Sequence, residues 1–321
     1  MIVVEFGPDD LARCRFAISP LWETVGALAA LHRPSGAAAH LPWLQAAGER
    51  LAGLDVRPLL RIVESAVYVP DFITPPPESP SESVEEELER VRATSRERAA
   101  TELGWAFKSR TVGPTERAML DDPSGAVQQL ADLMHECWHR LLADDWPRVR
   151  DILEADILHR ARLLTSGGME RVLDDLHPDV SWQRQTLRVR KRVEQRVPLE
   201  GRGLLFVPSA FTWPDVLLVT DPPWQPTIIY PARGVAQLWE RTRVSGPELE
   251  ALLGRTRALV LAGAVEPVST TRLAARLSLP VGTVSDHLGV LSRAGLVRSA
   301  RAGRQVLYAA TPVGHALLAA K

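Results

Sequence analysis

The most regular hydrophobic pattern of this chain lies in residues 269–297. Apolar residues at helical spacing mark the inward face of a first short helix: Leu273, Ala274 and Leu277. A tight turn through residues 279–282 interrupts the pattern, and a second helix follows with inward positions Val284, Leu288 and Leu291. Gly295 is predicted to end that helix, because glycine accepts the left-handed conformation of a helix C-terminus. Two short helices joined by a tight turn predict a helix-turn-helix, whose second helix enters the DNA major groove.

A β-hairpin is predicted directly after these helices. Two short apolar runs, residues 296–301 and 304–308, are joined at Ala302-Gly303, with Arg301 and Arg304 beside the joint. Arginines on a hairpin next to a helix-turn-helix can reach phosphates or the minor groove. The pattern therefore predicts a winged helix-turn-helix, with protein contact alone as the alternative use of the same unit.

Helical patterns dominate residues 1–176. The predicted helices run to about residue 31 and then through residues 41–51, 56–67, 96–107, 124–142, 146–164 and 170–176. A proline-rich stretch, residues 74–81, cannot sustain a helix and is expected to be a surface connector. Ser83 is predicted to cap the next helix, in which an acidic run, residues 85–87, forms a solvated face near the positive helix end.

The pattern changes to strands after Pro178. Residues 186–197 alternate, with Leu187, Val189 and Val193 predicted on one face, and apolar runs follow at residues 203–207, 216–220 and 227–230. These runs predict a small antiparallel sheet attached to the helical part. The expected fold class is α+β, mainly α with small β-sheets. The expected domains are a helical N-terminal domain, residues 1–243, and the winged helix-turn-helix, residues 246–321.

Composition excludes some classes of protein and shows a charge asymmetry. Hydrophobic residues make up 45% and charged residues 24%, which is typical of soluble globular proteins. No apolar run approaches the ~20 residues of a membrane helix, and two cysteines are too few for a disulfide framework, so we expect a cytoplasmic protein without a membrane partner. Residues 246–321 carry nine basic and four acidic residues, whereas the remainder is acidic overall, which suits attraction of the last quarter to phosphates.

The last quarter resembles the ArsR/SmtB class of winged-helix transcriptional regulators. The matching residues are Val284-Ser285, His287-Leu288, Leu291, Ala294-Gly295-Leu296-Val297, Arg301-Ala302-Gly303-Arg304 and Tyr308. A weaker similarity at residues 15–23 is to a segment that opens longer, actinobacterial-type relatives of this class. The resemblance implies a DNA-binding regulator, expected to be a repressor, that acts as a homodimer on a near-palindromic operator. Residues 1–243 are expected to bind a small-molecule effector, to form part of the dimer or to contact another protein.

The resemblance also assigns DNA-contacting residues to this chain. At the start of the second helix these are Val281, Gly282, Thr283, Ser285 and Asp286; farther along they are Arg293, Arg298, Arg301, Arg304 and Gln305. Thr283 and Ser285 are expected to reach bases or phosphates, and the arginines to neutralise phosphates. Asp286 departs from the basic or neutral residue expected there; it can accept a hydrogen bond from a cytosine amino group, or it lowers affinity.

One enzyme motif stands outside this region. His135-Glu136-Cys137-Trp138-His139 matches H-E-x-x-H, which on a helix places two imidazoles on one face to bind zinc. A third ligand is expected on the next helix, from Glu154, Asp156 or His159. The alternatives are a zinc metallopeptidase with an appended DNA-binding domain, a structural or sensing metal site, and an ordinary packing helix.

The packing helix is the interpretation we prefer for this motif. The family's usual metal-sensing sites are doubtful here, because no cysteine follows Cys137 and the terminal helix offers only His315. We therefore expect no catalytic residue, no metal and no cofactor, and we expect that the chain is not an enzyme. Several tryptophans before residue 230 suit either an apolar ligand pocket or the core.

Overall fold

The computed structural model describes residues 1–32, 40–63, 68–108, 111–239, 247–265, 267–277, 279–302 and 305–319. The chain divides into two compact units, the larger unit, Met1–Trp239, and the smaller unit, Glu240–Lys321. The predicted limits of the two domains, 243 and 246, fall outside the described residues and stay predictions. No helix of the described residues is long and apolar enough to cross a membrane.

The larger unit combines helices with two small sheets. Its helices are α1 (Pro20–His32), α2 (Leu41–Arg50), α3 (Arg57–Val63), α4 (Val84–Arg92), α5 (Arg96–Phe107), α6 (Pro114–Asp121), α7 (Pro123–Leu141) and α8 (Trp146–Asp174). Its strands are β1 (Ile2–Glu5), β2 (Arg15–Phe16), β3 (Val180–Gln183), β4 (Thr186–Val189), β5 (Gln195–Pro198), β6 (Leu205–Ser209), β7 (Leu217–Val219) and β8 (Thr227–Pro231). The predicted α+β fold class is confirmed.

Helix α7 is the central helix of the helical core. It packs against α1 to α6, and its buried positions recur at helical spacing, as in Val127, Leu130, Met134 and Leu141. Asp122 caps its start by accepting a hydrogen bond from the Gly125 amide at 3.1 Å. The apolar periodicity of residues 124–142 therefore forms the helix that it predicts.

Helix α4 begins at the predicted cap. The Ser83 hydroxyl accepts from the Glu86 amide at 3.2 Å, and the Glu86 carboxylate accepts from the Ser83 amide at 2.7 Å, a reciprocal capping box. The prediction of a wholly solvated acidic face is wrong, because Glu87 is buried and accepts from the Leu21 amide at 2.8 Å. Burial raises the pKa of Glu87 to about 8.

The proline-rich stretch is a second difference from the sequence analysis. Residues 74–77 are buried rather than exposed, and Arg15 donates to the Pro77 carbonyl at 2.6 Å. Proline has no backbone N–H, so a proline-rich loop can be buried with fewer donors that need a partner.

The predicted single antiparallel sheet is wrong. One sheet has the order β3-β4-β1-β5, with β1 parallel to β5, and the other has the order β2-β6-β8-β7, with only β7 antiparallel to its neighbour. Residues 186–197 form two strands, β4 and β5, instead of one, and β1 pairs with both because it lies between them in the sheet. Val193, predicted to face inward, lies outside both strands and is 59% exposed. The alternation of apolar and polar residues within 186–197 cannot reveal that a strand from residues 2–5 pairs between its two parts.

Helix α8 contains the break that the sequence predicts at Gly167-Gly168. Gly168 has φ of +72°, a conformation that suits glycine, and helix resumes as far as Asp174. Before the break, the fully buried Arg160 donates to the Asp175 carboxylate at 2.8 Å and lies over the Tyr230 ring. The Tyr230 hydroxyl donates to Asp156 at 2.8 Å, so this polar cluster fixes α8 against β8.

The smaller unit is a winged helix-turn-helix. Its elements are α9 (Pro247–Leu253), α10 (Arg255–Gly263), β9 (Val268–Ser269), α11 (Thr270–Leu277), α12 (Val281–Arg293), β10 (Val297–Ala302), β11 (Gln305–Ala310) and α13 (Pro312–Ala319). The strands form an antiparallel sheet in the order β10-β11-β9. The core contains Leu273 of α11 and Val284, Leu288 and Leu291 of α12, which confirms the inward positions of the sequence pattern.

Candidate nucleic-acid interface

The turn between α11 and α12 is held by backbone contacts within the smaller unit. The Leu279 amide donates to the Ala274 carbonyl at 3.0 Å, and Arg276 donates to the Gly263 carbonyl. A Cβ at Gly263 would overlap the Leu273 side chain, so glycine lets α10 and α11 approach closely. These contacts fix the direction in which α12 leaves the core.

The first turn of α12 is open to solvent. Its N-cap is Pro280, and no side chain of the described residues caps the turn. Val281 is 48% exposed, and a Cβ added at Gly282 would meet no atom within 4 Å. The first amides of a helix have no intrahelical acceptor and carry the positive end of the helix dipole. This turn can therefore donate to an anionic oxygen.

The residues assigned to DNA on α12 are not among its buried core positions. Val281, Gly282, Ser285, Asp286 and Arg293 are exposed, and Thr283 is half-buried. His287 is half-buried too. The structure thus leaves the predicted contacts of α12 exposed or half-buried, and their contact with DNA stays a prediction.

The wing is the hairpin of β10 and β11. Arg298 pairs in register with Ala309 and Arg301 with Val306, and both arginines are exposed. Because side chains alternate along a strand, these two arginines lie on opposite faces of the hairpin. Arg304 lies outside the described residues, and Gln305 is placed as the first residue of β11.

Helix α13 is attached to the end of α12. The Thr311 hydroxyl donates to the Gly295 carbonyl at 2.7 Å and accepts from the Gly314 amide at 3.2 Å. A Cβ at Gly314 would overlap the Leu296 carbonyl oxygen, so this glycine permits the contact. His315 of α13 is exposed.

The larger unit contains a cavity of about 560 Å³ with aromatic and acidic walls. The aromatic lining residues are Trp22, Tyr68, Phe211 and Trp213. The Tyr68 hydroxyl donates to the Asp71 carboxylate at 3.2 Å. Burial, together with the nearby charges of Glu102 and Asp221, raises the pKa of Asp71 to about 7. None of the described lining residues is basic, a feature that sequence analysis did not find because these residues are far apart along the chain.

Other tryptophans belong to the core. Trp43 and Trp138 are buried in the helical core, and Trp182 packs edge-on against Phe6. Trp22 both lines the cavity and is buried in a core cluster, so ligand binding by the tryptophans stays a prediction.

The H-E-x-x-H residues of α7 divide between core and surface. Cys137 and Trp138 are buried in the core, whereas the Nε2 atoms of His135 and His139 lie 3.0 Å apart at the surface. Glu136 forms an ion pair with Arg140 at 3.3 Å. The interpretation as a packing helix therefore accounts for the buried positions and leaves the two imidazoles without a packing role.

The expected third ligand on α8 is not found beside these imidazoles among the described residues. Asp156 is buried and accepts from Tyr230 and from the Arg233 amide, His159 contacts Asp175, and Glu154 pairs with Arg150. The residue that approaches the histidines is Glu85 of α4. Sequence analysis missed it because 50 residues separate it from His135 and only the packing of α4 on α7 joins them.

Two family models match parts of the chain. A model described as "Helix-turn-helix domain" matches residues 256–300, from α10 into β10, and a "Family of unknown function (DUF5937)" matches residues 91–236 of the larger unit. No curated protein and no solved structure matches the chain. The first match supports a DNA-binding transcriptional regulator, a class that is usually not enzymatic. Neither model describes a peptidase, so the metallopeptidase alternative gains no support.

Proposed function

We propose that this chain is a dimeric transcriptional repressor of the ArsR/SmtB class that binds a near-palindromic operator. The observation that carries the proposal is the surface of α12, an uncapped and exposed helix start beside a wing with exposed arginines. Two copies of α12 would enter successive major grooves, with half-sites about one helical turn apart, ~10 bp.

On this proposal, the backbone amides and the side chains of the smaller unit contact different parts of the DNA. The open amides of the first turn of α12 donate to a phosphate and fix the register of the helix. Thr283, Ser285 and Asp286 face the base edges, where Asp286 accepts from a cytosine amino group. Arg293, Arg298, Arg301, Arg304 and Gln305 contact the backbone around them. Because Arg298 and Arg301 are on opposite faces of the wing, they contact different phosphates.

Dimerisation is supported by exposed apolar side chains on the outer helices of the smaller unit. Leu252 of α9 is 68% exposed and Val313 of α13 is 63% exposed. Exposed apolar residues on helices are suited to contact a second copy of the same chain. Sedimentation of the full chain tests this step: replacing both residues with glutamate is expected to shift a dimer to monomer.

Effector binding is supported by the cavity of the larger unit. Its volume lies within the range of about 300–1,000 Å³ that is typical of ligand sites. Aromatic rings attract cations, and Asp71 and Asp221 add negative charge when ionised. We therefore propose that the effector is an apolar molecule with one positive charge. It changes DNA affinity only to the extent that it prefers one state of the repressor.

The effector step can be tested with tetraphenylphosphonium as an apolar cation and triphenylphosphine oxide as a neutral analogue. The cation is expected to change the tryptophan fluorescence, and Asp71→Asn is expected to weaken its binding about tenfold. Asp144→Asn, an exposed carboxyl outside the cavity, serves as the matched control. Equal binding of the neutral analogue would show that charge plays no part.

The DNA-binding step is tested by footprinting the purified chain on DNA upstream of its own gene. A protected inverted repeat is expected. The double variant Arg301→Ala with Arg304→Ala is expected to bind more weakly, with a log–log salt slope lower by about 0.9 for each lost phosphate contact. Arg162→Ala, an exposed arginine of α8, is the control for loss of charge. If the double variant keeps the salt dependence of the wild type, the alternative of a module for protein contacts only is favoured.

A further inference from the structure

Three side chains that suit a transition-metal ion meet where α4 begins and α7 ends. The two helices are antiparallel: Arg92, near the end of α4, pairs with Asp132 of α7 at 2.9 Å. At the other end of this helix pair, Glu85 of α4 faces His135 and His139 of α7. Apolar residues between the helices, such as Leu88 and Met134, are buried in the core and fix their spacing.

The ligand atoms of these three residues are close enough to share one ion. One atom from each of Glu85, His135 and His139 lies within 4.8 Å of the others, and the two Nε2 atoms are 3.0 Å apart. Two nitrogens bound to tetrahedral zinc at about 2.0–2.1 Å are separated by about 3.4 Å. Small side-chain rotations would therefore give the binding geometry, with no change in either helix.

The neighbouring acidic residues have other partners, whereas Glu85 is available. Glu86 completes the capping box, Glu87 accepts from the buried Leu21 amide, and Glu136 pairs with Arg140. Among the described residues, no arginine or lysine pairs with Glu85. The capping box at Ser83 sets where α4 begins, and hence sets the position of Glu85 beside the imidazoles.

We propose that Glu85, His135 and His139 form a zinc site that links α4 to α7. Two imidazoles and a carboxylate are a donor set that zinc accepts, and a water completes four-coordination because Glu85 and His139 are exposed. The site is independent of the DNA-binding proposal. It includes no hydrolytic step, since Glu136 is held by Arg140 on the helix surface.

Equilibrium dialysis of the full chain against zinc chloride, after treatment with a chelator, tests the proposal. One zinc per chain is expected. His135→Ala and His139→Ala should each abolish stoichiometric binding. Loss of a residue that only supports a ligand commonly costs about 10–100-fold in metal affinity, so Glu85→Gln should cost at least tenfold. Zinc should also raise the Tm of the wild type, raise that of Glu85→Gln less, and leave that of the two histidine variants unchanged.

Two matched controls separate this site from weak surface binding. Glu89→Gln changes an exposed carboxyl one turn farther along α4, and His159→Ala removes a half-buried histidine of α8 that contacts Asp175. Both should bind zinc like the wild type, and circular dichroism should show that all variants keep their helices. Absorption bands of cobalt, used in place of zinc, should disappear in the His135→Ala and His139→Ala variants only. Failure of the wild type to bind zinc, or equal affinity for Glu85→Gln and Glu89→Gln, would overturn the proposal.

Discussion

The two units of the chain differ in the burial of polar and charged side chains. In the larger unit, charged side chains such as Glu23, Glu87 and Arg160 are fully buried, whereas no described residue of the smaller unit buries a polar or charged side chain. A buried charge is tolerated only with close partners, and for Glu23 and Glu87 those partners lie far away in sequence. Glu23, for example, accepts from the amide of Ala210 at 3.0 Å. Polar contacts thus specify how distant segments of the larger unit meet, and apolar periodicity alone organises the smaller unit.

If buried charges specify the fold of the larger unit, removing one of them should lower its free energy of unfolding strongly. Arg160→Ala leaves the buried Asp156 without its guanidinium partner and removes one of the two arginines that pair with Asp175, the other being Arg233, and we expect a loss of about 3–5 kcal/mol in the free energy of unfolding. Urea unfolding of wild type and variant measures this loss of stability. Arg162→Ala, two residues along α8 and exposed, should stay within about 0.5 kcal/mol of the wild type. A loss below about 1 kcal/mol for Arg160→Ala would contradict the role of the cluster.

An apolar truncation should have the corresponding effect in the smaller unit. Leu288→Ala removes a fully buried side chain of α12, with an expected loss of about 2–5 kcal/mol and of DNA binding, while the unfolding transition of the larger unit is unchanged. Gly289→Ala is the contrasting variant, because its Cβ would meet only the Arg293 side chain at 3.6 Å. It should stabilise α12 by roughly 0.5–1 kcal/mol. If Leu288→Ala also shifts the transition of the larger unit, the two units do not unfold independently.

The pH dependence of stability should distinguish the two units more finely. Burial raises the pKa of Glu23 to about 7 and that of Glu87 to about 8, so the folded larger unit holds protons that the unfolded chain releases at lower pH. The stability contributed by these groups is fully present below a pH of about 4.5, the ordinary pKa of glutamate. It is lost as the pH rises to about 7 for Glu23 and to about 8 for Glu87. Each unit by which folding shifts a pKa corresponds to about 1.4 kcal/mol in the free energy of unfolding. Calorimetry between pH 5 and 8.5 should therefore record a falling Tm.

Substitution of one of these carboxyls gives the control for that experiment. Glu87→Gln keeps an acceptor for the Leu21 amide and cannot ionise, so its Tm should fall less over the same range. A Tm that falls equally in wild type and variant would assign the effect to other groups.

Charge in the smaller unit should change binding rather than stability, since none of its described charged residues is buried. Asp286→Asn should leave the free energy of unfolding within about 0.5 kcal/mol and reduce discrimination for cytosine at one position by about 1–3 kcal/mol. It should also strengthen non-specific binding, because it removes a negative charge from the proposed DNA-contacting surface. Competition assays with operator variants measure both effects. An unchanged base preference would show that Asp286 only lowers affinity.

The same contrast explains what the sequence could predict. The inward positions of α12, its end at Gly295 and the following hairpin were predicted, because each depends on residues within one turn or one hairpin of each other. The two mixed sheets were not, because β1 comes from the start of the chain and pairs with residues near 190. Glu87 was assigned to a solvated face because nothing in its helix reveals that α1 covers it.

The candidate sites follow the same rule. The proposed DNA contacts of α12 could be assigned from a local motif, and the structure places them at exposed or half-buried positions. The histidine pair was visible as a motif, whereas its carboxylate neighbour Glu85 was not, since only tertiary packing joins α4 to α7. The walls of the cavity, drawn from segments as distant as Trp22 and Trp213, carry no sequence signal at all.

The position of β1 inside its sheet has a consequence for synthesis. On the ribosome, β1 leaves before both of its neighbours, because β4 and β5 are made only after residue 185. Helices α1 to α8 can form in the meantime from local contacts, while an apolar strand with unsatisfied edges waits for more than half of the chain. Ribosome-bound chains that stop before β5 should therefore recruit chaperones at this strand, and completion of the sheet should be a late and slow event in folding.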